Sequence, residues 1–284
     1  MIMDACSVES QRISCRLEEN LIGSKKLAGR KVLRSNMAQA CKSPSFLLAV
    51  AGTMLVLGIG VFTDLIKAFR SEELLECGFH RTLVEHAIQS DPFLFALSLV
   101  CVLPYTTAYL DDRKSGFIKA YLPRTGRKNY LAGKMTACMV SGGLAPVLGI
   151  LLDLFVAALV FSPMELAKEP VPFDTQTQAW MLSFLQTLLL VFLSGAFWAM
   201  AGMAAAAVTS SRYMAYAAPF IFYYLLVILC ERYFKSCYVL NPREWLAPKN
   251  FPYDCWGAVI FLTEALLLLC GVFFCREERR LERL

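Results

Sequence analysis

The sequence has few charged residues and lacks the signatures of common catalytic sites. Only 18% of its 284 residues are Asp, Glu, Lys or Arg, whereas a typical soluble domain has about a quarter. It contains no HExxH, GxSxG or GxxxxGK(S/T) motif, which are typical of metalloproteases, α/β-hydrolases and P-loop nucleotidases. The sequence therefore predicts a protein that is not an enzyme, with no catalytic residue, no bound cofactor and no nucleotide site of its own.

Metal-binding patterns are missing as well. None of the eleven cysteines lies in a CxxC pair or at zinc spacing from the two histidines, so no metal site is expected. Cys237 and Cys255 are expected near the same membrane face, where they either form a disulfide, if that compartment is oxidising, or remain free. The two halves of the chain share no repeated motif, which does not favour an inverted-repeat transporter.

Long uncharged apolar runs are the main feature that is present. Hydrophobic residues make up 57% of the chain. The long continuous stretches that contain no Asp, Glu, Lys or Arg are 46–63, 93–110, 135–152, 179–211, 213–230 and 255–263. A helix needs roughly 20 apolar residues to cross a bilayer, and the last run reaches this length at residue 275 if Glu264 is tolerated. The sequence predicts an all-α polytopic membrane protein with six transmembrane helices. Its predicted parts are a cytoplasmic segment 1–45, a membrane domain 46–275 and a basic tail 276–284.

Basic residues are distributed unevenly between the two predicted faces of the membrane. The segments on the side of the termini, which are 1–45, 111–134, 209–212 and 276–284, carry 20 Lys and Arg, whereas the opposite segments 64–92, 161–178 and 231–254 carry eight. The positive-inside rule therefore predicts cytoplasmic termini in a multi-pass protein of the cell membrane. The net charge of +5 reflects this topology and does not indicate a nucleic-acid partner.

The segment before the first span is basic and amphipathic. Residues 21–42 predict a helix that rests on the bilayer surface, although a solvated basic tail is the alternative. Ser43 and Pro44 are typical of a helix cap and a first-turn proline. No signal peptide is expected, because the first apolar run begins only after residue 45.

The charged segment 111–134 is predicted to form an ordered loop between the second and third spans. It carries seven of the 28 basic residues, and its apolar residues Phe117, Ile118, Tyr121 and Leu122 lie on one side of a helix. Pro123 predicts a break and Gly126 a turn, followed by a second short helix that leads into the third span. Such a loop is suited to docking a partner, although its basic residues also fit a role in setting topology and binding anionic lipid.

Several short motifs resemble a known family. They are Asp111-Asp112, Ser115-Gly116, Tyr121-Leu122-Pro123, Arg127, Tyr130 to Lys134, Leu240-Asn241-Pro242 and Trp245-Leu246. Together with the six spans and the amphipathic N-terminal segment, these motifs make the chain similar to the permease subunits of ABC-2 type transporters. The sequence departs from that family by an aspartate where glutamate is common before the glycine, and by the additional Gly126.

The resemblance implies that transport and ATP hydrolysis are carried out by different subunits. It implies a permease subunit of an exporter, which forms a homodimer or a heterodimer with a second permease and binds ATP-binding cassette subunits. The loop 111–134 is then the coupling element that contacts the ATPase. Its expected docking residues are Asp112, Arg113, Gly116, Tyr121, Arg124, Arg127 and Lys128.

Two acidic residues fall within predicted spans, and their position suggests an alternative function to that of an ATP-driven permease. Asp153 and Glu264 are costly in a bilayer unless they are hydrated or paired, so they have either structural roles or roles in a relay for protons or cations. The second possibility is an ion- or proton-coupled secondary transporter. A non-transporting membrane protein, such as an immunity or assembly factor, is a further alternative, and the substrate is not indicated.

Overall fold

The computed structural model describes residues 29–70, 78–161, 175–234, 238–248 and 254–283. Regular structure in these residues is helical, which confirms the predicted all-α class. The α-helices are α1 Gly29–Cys41, α2 Pro44–Gly60, α3 Phe62–Arg70, α4 Phe79–Gln89, α5 Asp91–Val100, α6 Ala108–Lys114, α7 Phe117–Thr125, α8 Arg127–Phe161, α9 Thr175–Thr209, α10 Arg212–Arg232 and α11 Asp254–Leu281. A 3₁₀ turn at Tyr238–Leu240 lies between α10 and α11.

Some predictions concern residues that are not described. Residues 21–28 of the predicted amphipathic helix, the side chain of Arg124 and all of Cys237 lie outside the described residues. Cys255, the other half of the predicted cysteine pair, is a free thiol.

Within the described residues, four helices are long and apolar enough to cross a bilayer, namely α8, α9, α10 and α11. A fifth candidate span is the pair α1 and α2, which meet at an angle of 53°. α8 and α9 have 35 residues each, and a helix of that length measures about 52 Å, well beyond the hydrocarbon thickness. The fold is therefore that of a multi-pass helical membrane protein. The part of the chain that the structure describes has four or five candidate spans, where the sequence predicts six.

The second predicted span accounts for the difference. The sequence predicts one kinked helix over 93–110, but α5 ends at Val100 and α6 begins at Ala108, with turns between them. Pro104 lies within these turns and has no N–H to donate, so the helix is interrupted rather than kinked. The interruption is buried in protein, since Cys101 and Val102 are fully covered, which is the setting in which irregular backbone is tolerated at membrane depth.

The start of the first span is as predicted. The Ser43 side-chain oxygen accepts a hydrogen bond of 3.2 Å from the Phe46 N–H, and Pro44 occupies the first turn of α2. An N-cap of this kind satisfies one of the backbone donors that a helix leaves unpaired at its start.

α8 and α9 cross closely at small residues. A Cβ built on Gly195 would lie only 2.8 Å from the Gly142 carbonyl oxygen and 3.1 Å from the Gly143 Cα. The backbones touch at this point because no side chain separates them. In a bilayer, close contact of this kind is a principal source of helix association.

An aromatic cluster closes the core near the segment 238–248. Trp245 is buried, stacks on Trp198 of α9 at a centroid distance of 5.7 Å, and donates its indole N–H to the Val239 carbonyl at 2.8 Å. After the 3₁₀ turn this segment consists of hydrogen-bonded turns, and the buried Trp245 side chain anchors it to the core.

The glycine crossing makes a stability prediction. Gly142→Leu is expected to destabilise the protein by about 1–3 kcal/mol or more, because the new side chain would collide with Ala199 and approach the Cys101 carbonyl. Thermal unfolding in detergent measures the effect. Gly58→Leu in α2 is the matched control, because a Cβ at Gly58 meets nothing within 4 Å; equal losses from both variants would contradict a close crossing.

Candidate functional site

The loop between α6 and α8 forms a short helix bounded by two glycines. Gly116 (φ +75°) precedes α7 and Gly126 (φ +76°) follows it, both in a region that favours glycine. The predicted break at Pro123 is wrong, because α7 continues through it to Thr125 and ends at Gly126, whose N–H bonds to the Leu122 carbonyl. A proline this near the C-terminal end disturbs only the last turn. No separate second short helix follows, since α8 is continuous from Arg127.

α7 rests on the bundle by one side, as its amphipathic pattern predicts. Ile118 is buried, and Tyr121 and Leu122 are half-buried. The Tyr121 ring stacks on Phe117 at 5.0 Å and packs edge-on against Tyr130 of α8 at 5.9 Å. Phe117, which was predicted on the same side, lies at its edge beside Tyr121 and is 47% exposed. The opposite side, with Lys119, faces outward. We call the end of the bundle that carries α1, α6, α7 and the last turns of α11 the loop end.

A buried ion pair joins the two sides of the loop. The Lys134 ammonium lies 2.8 Å from the Asp112 carboxylate, and the Tyr130 hydroxyl donates to the same carboxylate oxygen at 2.7 Å. The Lys134 side chain is only 4% exposed and that of Asp112 only 19%. Asp112 belongs to α6 whereas Tyr130 and Lys134 belong to α8. The pair therefore ties the residues before α7 to the helix after it.

The same lysine is linked to α1. Lys134 donates to the Tyr105 hydroxyl at 3.0 Å, and that hydroxyl donates to Gln39 of α1 at 3.0 Å. α1 approaches α8 closely because Gly133 has no side chain; a Cβ there would lie 2.9 Å from Val32. Val32 is buried against α8. The predicted surface helix is thus fixed to the bundle at this residue and does not rest on the bilayer alone.

Arg113 binds the C-terminal end of α9. Its guanidinium donates to the Ala207 carbonyl at 3.0 Å and to the Ser210 hydroxyl. Positively charged groups are favoured at the C-terminal end of a helix, where backbone carbonyls lack partners. Nearby, Asp111 pairs with Arg212 at the start of α10 at 2.7 Å. α6 is thereby attached to both helices that flank the turn between α9 and α10.

The last turns of α11 complete the site from another side. The Tyr109 hydroxyl of α6 donates to Glu277 at 2.6 Å, and Glu277 is fully buried. Arg280 lies 3.9 Å from the same carboxylate and donates to the Ala207 carbonyl at 3.2 Å. A buried carboxylate is costly unless it is paired. This arrangement explains why α11 continues to Leu281, six residues into the predicted basic tail.

Two weaker pairs join the start of α8 to α11. Arg127 lies 3.7 Å from Glu282, and Lys128 lies 3.5 Å from Glu278. The Arg127 and Lys128 side chains are 47% and 77% exposed. Exposed pairs of this kind contribute at most about 1 kcal/mol each, so both basic side chains are readily released to another partner.

The predicted docking residues thus fall into two groups. Asp112 and Arg113 are turned inward and hold α6 to α8 and α9, so their prediction as direct partner contacts is not favoured by their geometry. Arg127 and Lys128 point outward. Tyr121 lies on the half-buried side of α7, and Gly116 lies in the turn before α7.

Several polar residues of this site were not predicted as functional, among them Tyr105, Tyr109, Lys134 and Glu277. Lys134 had a detectable signal, because it ends the motif Tyr130 to Lys134 at the entry to an apolar run. The two tyrosines and Glu277 had none, since their roles depend on partners up to 168 positions away.

The two predicted intramembrane acids lie apart from this network. Asp153 is half-buried in α8, and Glu264 lies on the exposed side of α11. Within the described part of the chain, no hydrogen bond or ion pair joins them or provides a basic partner for either.

The geometry at the loop end is thus a short exposed helix whose base is held by buried polar contacts. These contacts reach α1, α8, α9 and α11. A scan of protein-family models and a search of curated protein sequences gave no significant match to this chain.

Proposed function

We propose that the protein is the membrane-spanning permease subunit of an ATP-driven transporter, an exporter, and that ATP is hydrolysed on a separate ATP-binding cassette subunit. The partner docks on the loop 111–134, with the loop end in the cytoplasm. A second permease, identical or not, completes the membrane part. The observation that carries the proposal is the exposed helix α7, whose base is clamped to the spans by the Asp112–Lys134 pair.

The contacts of this clamp suit the transmission of force. A push on α7 acts on α6 and α8, because Gly116 and Gly126 connect α7 directly to them. Arg113 carries displacement of α6 to the end of α9, and Tyr109 carries it to α11. Small shifts at an effector site become large movements when they act on packed elements with discrete arrangements. The interrupted segment 101–107 provides a point at which α5 and α6 can reorient separately.

The outward side of α7 and the start of α8 form the docking surface. Lys119, Arg127 and Lys128 give it a positive charge, and Phe117 adds an exposed aromatic ring. An acidic groove on the partner would complement it. Charge complementarity of this kind directs association and orientation more than it increases affinity.

The competing proposal, a secondary transporter, rests on Asp153, which is half-buried without a basic partner among the described residues. A test of the two uses Asp153→Asn combined with Glu264→Gln. We expect the double variant to leave ATP hydrolysis by the purified permease–ATPase complex within about twofold of wild type, because neither side chain contacts the loop end.

The matching measurement uses the chain alone in proteoliposomes containing a pH-sensitive dye. We expect no proton flux under an imposed membrane potential, with or without the two acids. A flux that the wild type supports and the double variant abolishes would favour the relay and overturn the proposed function. A chain that purifies with no ATPase from its native membrane would instead favour an assembly or immunity protein.

A further inference from the structure

An open groove of about 1000 Å³ runs along α11 at the loop end, beside Val208 at the end of α9. Along α11, the first part of the groove is apolar and the part nearer the C-terminal end of the helix is basic. The apolar part contains Leu267, Leu268 and Val272, whose side chains are 67–71% exposed. The basic part is formed by four arginines, Arg276, Arg279, Arg280 and Arg283.

The charges of the last turns of α11 are sorted between two sides of the helix. The acidic residues face the loop and the core, where Glu277 meets Tyr109, Glu278 meets Lys128 and Glu282 meets Arg127. The arginines face the groove. Arg276, Arg279 and Arg283 form no ion pair with any residue of the described part of the chain. The groove therefore has three cations available to a ligand.

The position of the basic part matches a membrane boundary. The apolar stretch 255–275 of α11 measures about 31 Å, close to the thickness of the hydrocarbon core. Arg276 follows this stretch directly, so the arginines lie at headgroup depth and the leucines lie at acyl-chain depth. Residues 268, 272, 276 and 279 recur every three or four positions, which places them on one side of the helix.

We propose that this groove is a binding site for one anionic phospholipid. The acyl chains lie along Leu267, Leu268 and Val272, and the phosphate is held by Arg276, Arg279 and Arg283, whose planar guanidinium groups match phosphate oxygens in two-point contacts. Gly271 leaves room between the two parts, since a Cβ there meets nothing within 4 Å. This inference depends on the membrane-spanning fold and not on the coupling to an ATPase.

Two consequences follow for the protein. The lipid would fill an apolar surface that the chain leaves uncovered, and it would hold the end of α11 at a fixed depth. Because Arg280 touches both the groove and the buried Glu277, the bound phosphate lies beside the polar contacts of the loop end. The lipid composition of the membrane would thereby influence the position of α6.

The test measures lipid binding by native mass spectrometry. The purified, delipidated chain in a non-ionic detergent is titrated with dioleoyl-phosphatidylglycerol and, separately, with dioleoyl-phosphatidylcholine. We expect one phosphatidylglycerol to bind saturably and phosphatidylcholine to bind at least about tenfold more weakly. Arg276→Gln, Arg279→Gln and Arg283→Gln together should weaken phosphatidylglycerol binding by about tenfold or more, since each basic residue contributes about 1 kcal/mol near an anionic surface.

Two further variants separate the groove from general charge. Lys42→Gln, Lys114→Gln and Lys119→Gln together remove the same charge from exposed positions at the loop end, and should leave binding within about threefold of wild type. Gly271→Trp fills the apolar part without changing the charge, and should weaken binding as well. Both sets change exposed residues, so size-exclusion profiles should match the wild type.

Three results would overturn the proposal. Equal losses of phosphatidylglycerol binding in the arginine and lysine variants would mean that the lipid responds to total positive charge and not to a site in the groove. Full competition by soluble glycerol phosphate would indicate a phosphate site without lipid. A disulfide between the exposed Cys275 thiols of two chains, formed under oxidation and unaffected by phosphatidylglycerol, would show that a second copy covers the groove.

Discussion

Replacing Arg124 and Arg127 with glutamate is expected to abolish stimulation of the partner's ATP hydrolysis, while the permease remains folded and in the membrane. Arg124 lies in the last turn of α7, and Arg127 begins α8. Reversing both charges places like charges against an acidic partner surface, which costs several kcal/mol in association. We expect the stimulated rate of the reconstituted complex to fall at least tenfold.

Folding should be spared in this variant for a structural reason. The Arg127–Glu282 pair has both side chains about half exposed, at 47% and 53%, and an exposed pair contributes at most about 1 kcal/mol. The matched control is Arg70→Glu with Arg232→Glu, two exposed arginines outside the loop end with no ion pair in the described part of the chain. Unchanged coupling in the loop variant, or equal loss in the control, would contradict docking at this loop.

Lys134→Met is expected to lower the free energy of unfolding by about 3 kcal/mol or more, because it leaves the Asp112 carboxylate without its cation in a largely buried site. Tyr130 still donates to that carboxylate, but one neutral hydrogen bond does not replace a charge. The loss also removes the donor to Tyr105 and so loosens α1. Chemical denaturation in detergent micelles, followed by tryptophan fluorescence, measures the change.

A double-mutant cycle separates the interaction between Asp112 and Lys134 from the contribution of each side chain alone. Lys134→Met combined with Asp112→Asn should recover much of the stability lost by either single change, since no uncompensated charge remains. Lys128→Met is the control, because its pair with Glu278 has a lysine that is 77% exposed. Additive losses in the double variant, or a large loss from Lys128→Met, would show that the Asp112–Lys134 contact is not the stabilising element.

The cycle also bears on coupling. If α6 transmits movement to α8 through this pair, the repaired double variant should be stable yet show weaker stimulation of ATP hydrolysis than wild type. Stability and coupling would then separate, which a merely structural role does not predict.

Patterns with a local physical cause could be predicted from the sequence. The helix cap at Ser43, the apolar side of α7 and the turn at Gly126 each depend on residues within a few positions. These features placed the membrane class and the loop correctly.

Features that depend on packing were not predicted from the sequence. The sequence treats Asp112 as a docking residue because it is charged and lies in a polar loop, whereas Lys134, 22 positions later, draws it inward. The second span was predicted as one kinked helix because its apolar run is continuous. Whether Pro104 kinks or interrupts a helix depends on neighbours that can shelter the freed backbone groups, and hydropathy does not record them.

The sequence by itself determined that this is a helical membrane protein with an ordered, basic loop, because hydropathy, charge asymmetry and turn residues act locally along the chain. Only the tertiary structure decided how that loop is anchored, through Lys134, Tyr109 and Glu277, and which side of α11 presents its arginines. The reason is that a charge is paired or free according to what lies across space from it, and the helices that bring those groups together are far apart in sequence.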